Sequence, residues 1–189
     1  MNVGISALTR LAFWFLRHGE TDWNAQGLSQ GNTDVPLNAT GIAQAHAAAA
    51  LLRNRGITTI VSSPLSRAND TAVIAAAALG LPVEIDDDLR EVSFGAKEGH
   101  LQSEWFADWV VGSFLPAGAE TFTDLRVRAI AAVNRALAYP APVLVVGHGA
   151  LFRALRAEMG LEANVRTPNA TPFLCQPGEP AWTLTPVHG

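Results

Sequence analysis

Arg17, His18, Arg67, Glu91 and His148 are the residues of this 189-residue sequence whose types and spacing could do chemistry together. An arginine guanidinium can donate paired hydrogen bonds to the oxygens of a phosphoryl group. A neutral imidazole is a competent nucleophile toward phosphorus when a backbone acceptor holds one ring nitrogen as N–H. A glutamate can protonate a leaving alkoxide and then, as a base, activate water. This set of side chains indicates a site for a phosphate.

The elements that must bring these residues together are short apolar strands separated by helices. Strands are predicted at residues 11–16, 57–61, 82–85 and 143–146, with a last edge strand at 182–187. Helices are predicted at 42–55, 64–79 and 123–139, and a fourth follows Gly149 and ends at Met159. In the second helix, Ser63 is the predicted N-cap and Pro64 the first helical residue.

Strands that alternate with helices predict an α/β fold, a three-layer α/β/α sandwich with a mainly parallel sheet. In such sheets a ligand binds beyond the carboxyl ends of the strands, where helix N-termini also point. Arg17 and His18 follow the first strand, Arg67 lies in the first turn after the second, Glu91 follows the third, and His148 follows the fourth. All five side chains are therefore expected at one edge of the sheet.

Composition excludes several classes of protein. Hydrophobic residues make up 49% of the chain and charged residues 16%, which excludes a mainly disordered chain. The net charge is −4 and the longest run of like charge is Asp86 to Asp88, so we expect neither a nucleic-acid nor a membrane partner. The single cysteine, Cys175, cannot form an internal disulfide or a cysteine-rich metal site. Residues 1–15 lack the features of a signal peptide, and we expect a cytoplasmic chain.

The residues at the strand ends also carry a family resemblance. The run Arg17-His18-Gly19-Glu20-Thr21 resembles the signature of the histidine phosphatase superfamily, whose fold is phosphoglycerate mutase-like. The resemblance continues through residues 62–68, 89–91 and 146–149, and it spans the chain from residue 11 to about 172.

The resemblance implies a role for each matching residue. His18 would be the residue that becomes phosphorylated, and Glu91 the proton donor. The phosphate pocket would be completed by Arg17, Arg67 and His148. Asn24 and the pair Gln30 and Gly31 match positions that line the substrate or phosphate site. No metal or other cofactor is implied.

A departure from the mutases of the family favours a phosphatase. Those mutases carry a long insertion after the glutamate that acts as the proton donor. A basic stretch in this insertion holds the second acidic group of phosphoglycerate. We expect here one domain, residues 1–189, with a short insertion at about 95–121 whose basic side chains are Lys97 and His100. The sequence thus predicts a metal-independent phosphomonoester hydrolase, a histidine phosphatase of the acid type, acting on a small phosphorylated substrate. The alternatives are a cofactor-dependent phosphoglycerate mutase and a phosphate-binding module without turnover.

Two features remain open in the sequence. Trp105, Phe106 and Trp109 recur at helical spacing, which favours a helix packed onto the domain over an aromatic lid that selects the substrate. The oligomeric state is not readable, nor is the identity of the phosphomonoester.

Overall fold

The central sheet of the computed structural model, which describes residues 7–189, consists of apolar segments with helices packed on both faces. Residues 7–189 contain six strands in the order β3-β2-β4-β1-β5-β6. The first four strands of this order run parallel, and β5 and β6 are each antiparallel to the preceding strand. The strands are β1 (Phe13–Arg17), β2 (Thr59–Ser62), β3 (Val83–Ile85), β4 (Val143–Gly147), β5 (Pro172–Gln176) and β6 (Thr183–Pro186). From the sequence we expect no signal peptide in residues 1–15, and residues 1–6 of this segment lie outside the described residues.

Helices form the outer two layers of the sandwich. Alternate residues of β1 point to opposite faces: Phe13 and Phe15 join one buried cluster, and Trp14 and Leu16 join the other. The first cluster is covered by α5 and α6, and the second by α2 and α3. The predicted α/β/α sandwich with a mainly parallel sheet is confirmed. The helices are α1 (Asp22–Ala25), α2 (Ala39–Leu52), α3 (Ser66–Leu79), α4 (Phe106–Val110), α5 (Phe122–Ala136) and α6 (Gly149–Glu158).

The predicted start of α3 is wrong. The helix begins at Ser66, and Leu65 is its N-cap residue, without a side-chain capping hydrogen bond. The hydroxyl of Ser63 lies instead 2.7 Å from Nε2 of His148 and accepts a hydrogen bond from the backbone N–H of Leu65 at 3.3 Å. Ser63 therefore belongs to the functional site, and Pro64 lies in the turn before the helix.

Strand β5 was not predicted from the sequence. It begins at Pro172 and pairs antiparallel with β1, so that Cys175 is opposite Phe13. Proline is compatible with the first residue of a strand but reads as a loop signal. Helix α1 and a 3₁₀ turn at Asp87–Leu89 were not predicted either. The other predicted elements differ by one to three residues at their ends, and the predicted edge strand is present as β6.

The segment from residue 95 to residue 121 contains three short elements: 3₁₀ turns Gly95–Lys97 and Gln102–Glu104, and α4. Trp105 and Trp109 are buried, and their rings make edge-on contacts with Phe94 at centroid distances of 5.0 and 5.3 Å. The two tryptophans therefore pack in the core, as the favoured interpretation expected. No helix within residues 7–189 is both long and apolar enough to cross a membrane.

Candidate active site

The register of the two central strands places the two histidines side by side. Arg17, the last residue of β1, is paired with Gly147, the last residue of β4. The backbone N–H of His18 donates to the carbonyl of Gly147 at 3.0 Å. The rings of His18 and His148 consequently lie 5.3 Å apart, centroid to centroid, at the carboxyl edge of the sheet.

His18 is held in one tautomer by its own backbone. Its Nδ1 lies 2.7 Å from the carbonyl oxygen of Gly19. Because a carbonyl oxygen only accepts, Nδ1 carries the proton and Nε2 keeps its lone pair. Burial lowers the pKa of His18 well below its ordinary value, and the positive charges of Arg67 and Arg17 lower the pKa further. The imidazole is therefore neutral at pH 7, the form that can act as a nucleophile.

His148 is completely buried, and its imidazole bonds to Ser63. Because Ser63 already accepts the N–H of Leu65, its hydroxyl proton can go to Nε2 of His148. The histidine proton then lies on Nδ1, which has no hydrogen-bond partner in the described part of the chain. Burial, followed by the charge of Arg67, lowers the pKa of His148 well below its ordinary value. The ring is thus a neutral donor beside His18.

Backbone carbonyls hold the two arginines. Arg17 donates to the carbonyl of Thr167 at 2.6 Å, and Arg67 donates to those of Gly31 and Thr33 at 2.8 and 3.0 Å. In both residues the buried Nε–H has no partner among residues 7–189. Burial lowers the pKa of each guanidinium to about 10, so both remain charged at neutral pH. Fixed, charged donors of this kind suit an oxyanion.

The carboxylate of Glu91 is anchored to the N-terminus of α6. One oxygen accepts the backbone N–H groups of Leu151 and Val92 at 3.0 and 3.1 Å, and the other accepts that of Ala150 at 2.9 Å. The helix N-terminus, which carries partial positive charge, is thereby capped by this side chain. Glu91 lines the same cavity of about 120 Å³ as Arg17, His18 and Arg67.

Asn24 and Gln30 also line this cavity, and both contact Thr21. The amide oxygen of Asn24 accepts the backbone N–H of Thr21 at 3.3 Å, and that of Gln30 accepts its hydroxyl at 2.8 Å. Gly31 lines the cavity with its backbone and holds Arg67 through its carbonyl. Its φ is +55°, and a Cβ at this position would clash with the carboxylate of Glu98, which favours glycine. The structure thus brings all eight predicted residues to one site: seven of them line the cavity, and the eighth, His148, lies beside His18.

The sequence also matches a known protein family. The family model of the histidine phosphatase superfamily (branch 1) matches residues 13–171. The chain belongs to the histidine phosphatase superfamily.

Similar proteins in the superfamily carry different activity names. The probable phosphoglycerate mutase GpmB of Yersinia pestis is 40% identical over 167 residues, which cover 82% of this chain and 77% of that protein. A mycobacterial glucosyl-3-phosphoglycerate phosphatase, solved in complex with VO3, is 32% identical with a TM-score of 0.77, covering 92% of this chain and 96% of the other. A structure from Thermus thermophilus is 29% identical with a TM-score of 0.76, covering 95% of this chain and 100% of the other.

Sequence reasoning missed several residues of the candidate active site. Arg153, Arg166 and Thr167 line the cavity, and Asn169 donates to the carbonyl of His18 at 3.0 Å. Arg153 has a signal in the sequence, because it lies one helical turn beyond Gly149 and shares its face of α6. The other three lie between α6 and β5, where no periodicity marks a position. Within residues 7–189, no His, Cys, Asp or Glu side chains group in threes as a metal ion would require.

Proposed function

We propose that the chain hydrolyses phosphomonoesters without a metal ion, as a histidine phosphatase of the acid type that forms a phosphohistidine on His18. The single observation that carries the proposal is the 2.7 Å contact between Nδ1 of His18 and the carbonyl of Gly19. This contact leaves the lone pair on Nε2 of a neutral, buried imidazole. Arg17 and Arg67 line the same cavity with charged donors for the phosphate oxygens.

The proposed reaction has two steps. In the first, Nε2 of His18 attacks phosphorus, the ester P–O bond breaks, and the leaving oxygen takes a proton from the carboxyl group of Glu91. In the second, the Glu91 carboxylate takes a proton from water, whose oxygen attacks phosphorus while the N–P bond breaks. Inorganic phosphate leaves and the original protonation of both residues is restored. The Nδ1–H of His148 donates to oxygens on which charge develops.

Hydrolysis is favoured over mutase activity by the segment from residue 95 to residue 121. Its basic side chains, Lys97 and His100, are absent from the residues that line the cavity in the described part of the chain. A cofactor-dependent mutase must retain the bisphosphorylated intermediate until its other phosphate returns to the histidine, and this segment supplies no cation for that purpose.

A second candidate is a cofactor-dependent phosphoglycerate mutase, the activity for which GpmB is named. The observation that favours it is the presence of Arg153 and Arg166 in the cavity, because they can hold a second acidic group. Such an enzyme would isomerise phosphoglycerate after priming with bisphosphoglycerate and would release little free phosphate.

The testing experiment is phosphate release from a panel of phosphomonoesters in excess EDTA. The panel contains p-nitrophenyl phosphate, sugar phosphates, phosphoserine, 3-phosphoglycerate and glucosyl-3-phosphoglycerate. The wild type is compared with His18→Ala and with His46→Ala, whose exposed imidazole lies on α2. We expect release that withstands EDTA, is lost in His18→Ala and persists in His46→Ala. Isomerisation of 3-phosphoglycerate without release would support the mutase, and EDTA-sensitive release would contradict both candidates.

A further inference from the structure

The tautomer of His18 depends on the direction of a single backbone carbonyl, that of Gly19. The backbone of His18 itself is fixed, because its N–H donates to the carbonyl of Gly147 and its own carbonyl accepts from the amide of Asn169. Gly19 and Glu20 lie beyond these contacts. The carbonyl of Gly19 belongs to the peptide group that joins it to Glu20, so contacts of this peptide group must aim the carbonyl at Nδ1.

Gln44 holds that peptide group from α2. Its side-chain oxygen accepts the backbone N–H of Glu20 at 2.9 Å. A trans peptide group is planar, and its N–H and carbonyl point in opposite directions. A contact that draws this N–H toward α2 therefore turns the carbonyl of Gly19 to the other side, where Nδ1 of His18 lies.

Thr71 holds the preceding peptide group from α3. The backbone N–H of Gly19 donates to Oγ1 of Thr71 at 3.1 Å. The hydroxyl proton of Thr71 is used elsewhere, because it is donated to the carbonyl of Arg67 at 2.7 Å. The oxygen of this completely buried side chain can therefore only accept from Gly19. Thr71 thus connects the loop of the proposed nucleophile to the helix that carries Arg67.

The loop is packed closely between these two partners. A Cβ on Gly19 would clash with the carbonyl of Gly41 in α2, and a Cβ on Gly41 would clash with the backbone of Glu20. The loop and α2 are therefore in backbone contact. Neither Gln44 nor Thr71 lines the cavity in the described part of the chain, so any effect that they have on the reaction passes through the backbone.

We propose that Gln44 and Thr71 are positioning residues, which orient the two peptide groups on either side of Gly19 so that the proton of His18 stays on Nδ1. This inference rests on the proposed function for its catalytic consequence, because only an attacking Nε2 requires a lone pair. A neutral imidazole has one ring proton, and the carbonyl of Gly19 selects the nitrogen that carries it. When either peptide group loses its partner and turns, this selection weakens. A fraction of the molecules then carries the proton on Nε2, where the lone pair is lost.

The test is the tautomer of His18, measured from the ¹⁵N chemical shifts of its two ring nitrogens in long-range ¹H–¹⁵N correlation spectra at pH 7.5. His18→Asn identifies the signals of His18 among those of the five histidines. We expect the wild type to carry the proton on Nδ1. In Gln44→Leu and Thr71→Val, which each remove one acceptor, both nitrogen shifts should move toward those of the other tautomer. This readout needs neither substrate nor turnover.

Conservative variants separate the hydrogen bond from the space that each side chain fills. Thr71→Ser keeps the hydroxyl and Gln44→Glu keeps an acceptor oxygen, so both should retain the wild-type shifts. Gln44→Leu, at a half-buried position, tests the inference even if the Thr71→Val chain does not fold.

Kinetics with p-nitrophenyl phosphate test the consequence for the reaction. We expect kcat/KM to fall about tenfold or more in Gln44→Leu and Thr71→Val, since a misplaced nucleophile loses rate. The inhibition constant of inorganic phosphate should change less than about twofold, because binding and attack are separate contributions. Arg17 and Arg67 keep their carbonyl partners in both variants.

The outcomes separate this inference from the proposed function. Wild-type ring shifts in Gln44→Leu would overturn the inference without bearing on phosphate release. The same displaced shifts in Gln44→Glu as in Gln44→Leu would also overturn it, since the acceptor oxygen would then not matter. A chain whose variants change tautomer but whose wild type releases no phosphate would retain the positioning role and reject the phosphatase.

Discussion

The hydroxyl of Ser63 lies 2.7 Å from Nε2 of His148 and joins the end of β2 to the end of β4. Because this contact occupies Nε2, it leaves Nδ1 of His148 free to donate, and we expect a phosphate oxygen to be its acceptor. Ser63→Ala should leave a buried nitrogen without its partner, at a cost of about 1–3 kcal/mol in unfolding free energy. We expect kcat to fall about tenfold in steady-state assays.

The control for this variant is Ser66→Ala, since Ser66 bonds to Asp34 and not to His148. A Ser63→Ala chain with wild-type kcat would show that the contact does not fix the catalytic tautomer.

Glu91→Gln removes the proposed proton donor but keeps a side chain of the same size. An alkoxide leaves with difficulty unless it is protonated, whereas p-nitrophenolate leaves without help. We therefore expect kcat/KM to fall by about 10²–10⁴ for alkyl phosphates and far less for p-nitrophenyl phosphate. Equal losses on both classes of substrate would sink the assignment of Glu91, and Glu104→Gln, at an exposed position, serves as the control.

Arg128 bonds to the loop that carries Glu91, and we expect it to position that side chain. From α5 it donates to the backbone carbonyls of Asp88 and Arg90 at 2.6 and 2.9 Å, while its other nitrogens pair with Glu120. Arg128→Gln should loosen the loop that carries Glu91 and lower kcat about tenfold for alkyl phosphates, with a smaller loss for p-nitrophenyl phosphate.

The matched variant is Arg126→Gln, because Arg126 lies on the same helix and pairs with Glu158, away from this loop. A loss in Arg128→Gln that is the same for good and poor leaving groups would point to general destabilisation rather than to positioning.

The two buried histidines make stability depend on pH. Their pKa values are lowered in the folded chain, so below about pH 6.5 the unfolded chain binds protons that the folded chain does not. The contribution of the two neutral histidines to the free energy of unfolding is therefore fully present above about pH 6.5. It falls as the pH drops below that value, by up to about 1.4 kcal/mol per pH unit for each histidine.

Urea unfolding at pH 7.5 and pH 5.5 measures this loss. His18→Asn should show a smaller loss than the wild type, whereas His46→Asn, at an exposed position, should show the same loss. A loss that is unchanged in His18→Asn would contradict a neutral, buried His18.

Much of the site could be predicted because strand ends are easy to locate. Arg17, His18 and His148 directly follow continuous apolar runs, and such runs in an alternating pattern leave little choice of topology. Ser63 was misassigned because a serine before a proline is also typical of a helix start. Its actual partner, His148, is 85 residues away.

The remainder depended on tertiary contacts that leave no local pattern. The backbone carbonyl of Thr167 accepts a hydrogen bond from Arg17, and the side-chain amide of Asn169 donates to the carbonyl of His18. Both residues lie in a loop whose sequence shows no periodicity. Strand β5 is stabilised by pairing with β1 and β6 rather than by its own sequence, which begins with proline. Arg166 resembles any surface arginine until the cavity that it lines is visible.

The central claim is that phosphorus becomes bonded to His18. The direct measurement is rapid acid-free quenching of a reaction with a ³²P-labelled phosphomonoester, followed by alkaline peptide mapping, which preserves phosphohistidine. We predict one labelled peptide that contains His18, formed within the first turnover and absent in His18→Ala. Hydrolysis without any labelled peptide, or with the label on His148, would contradict the account.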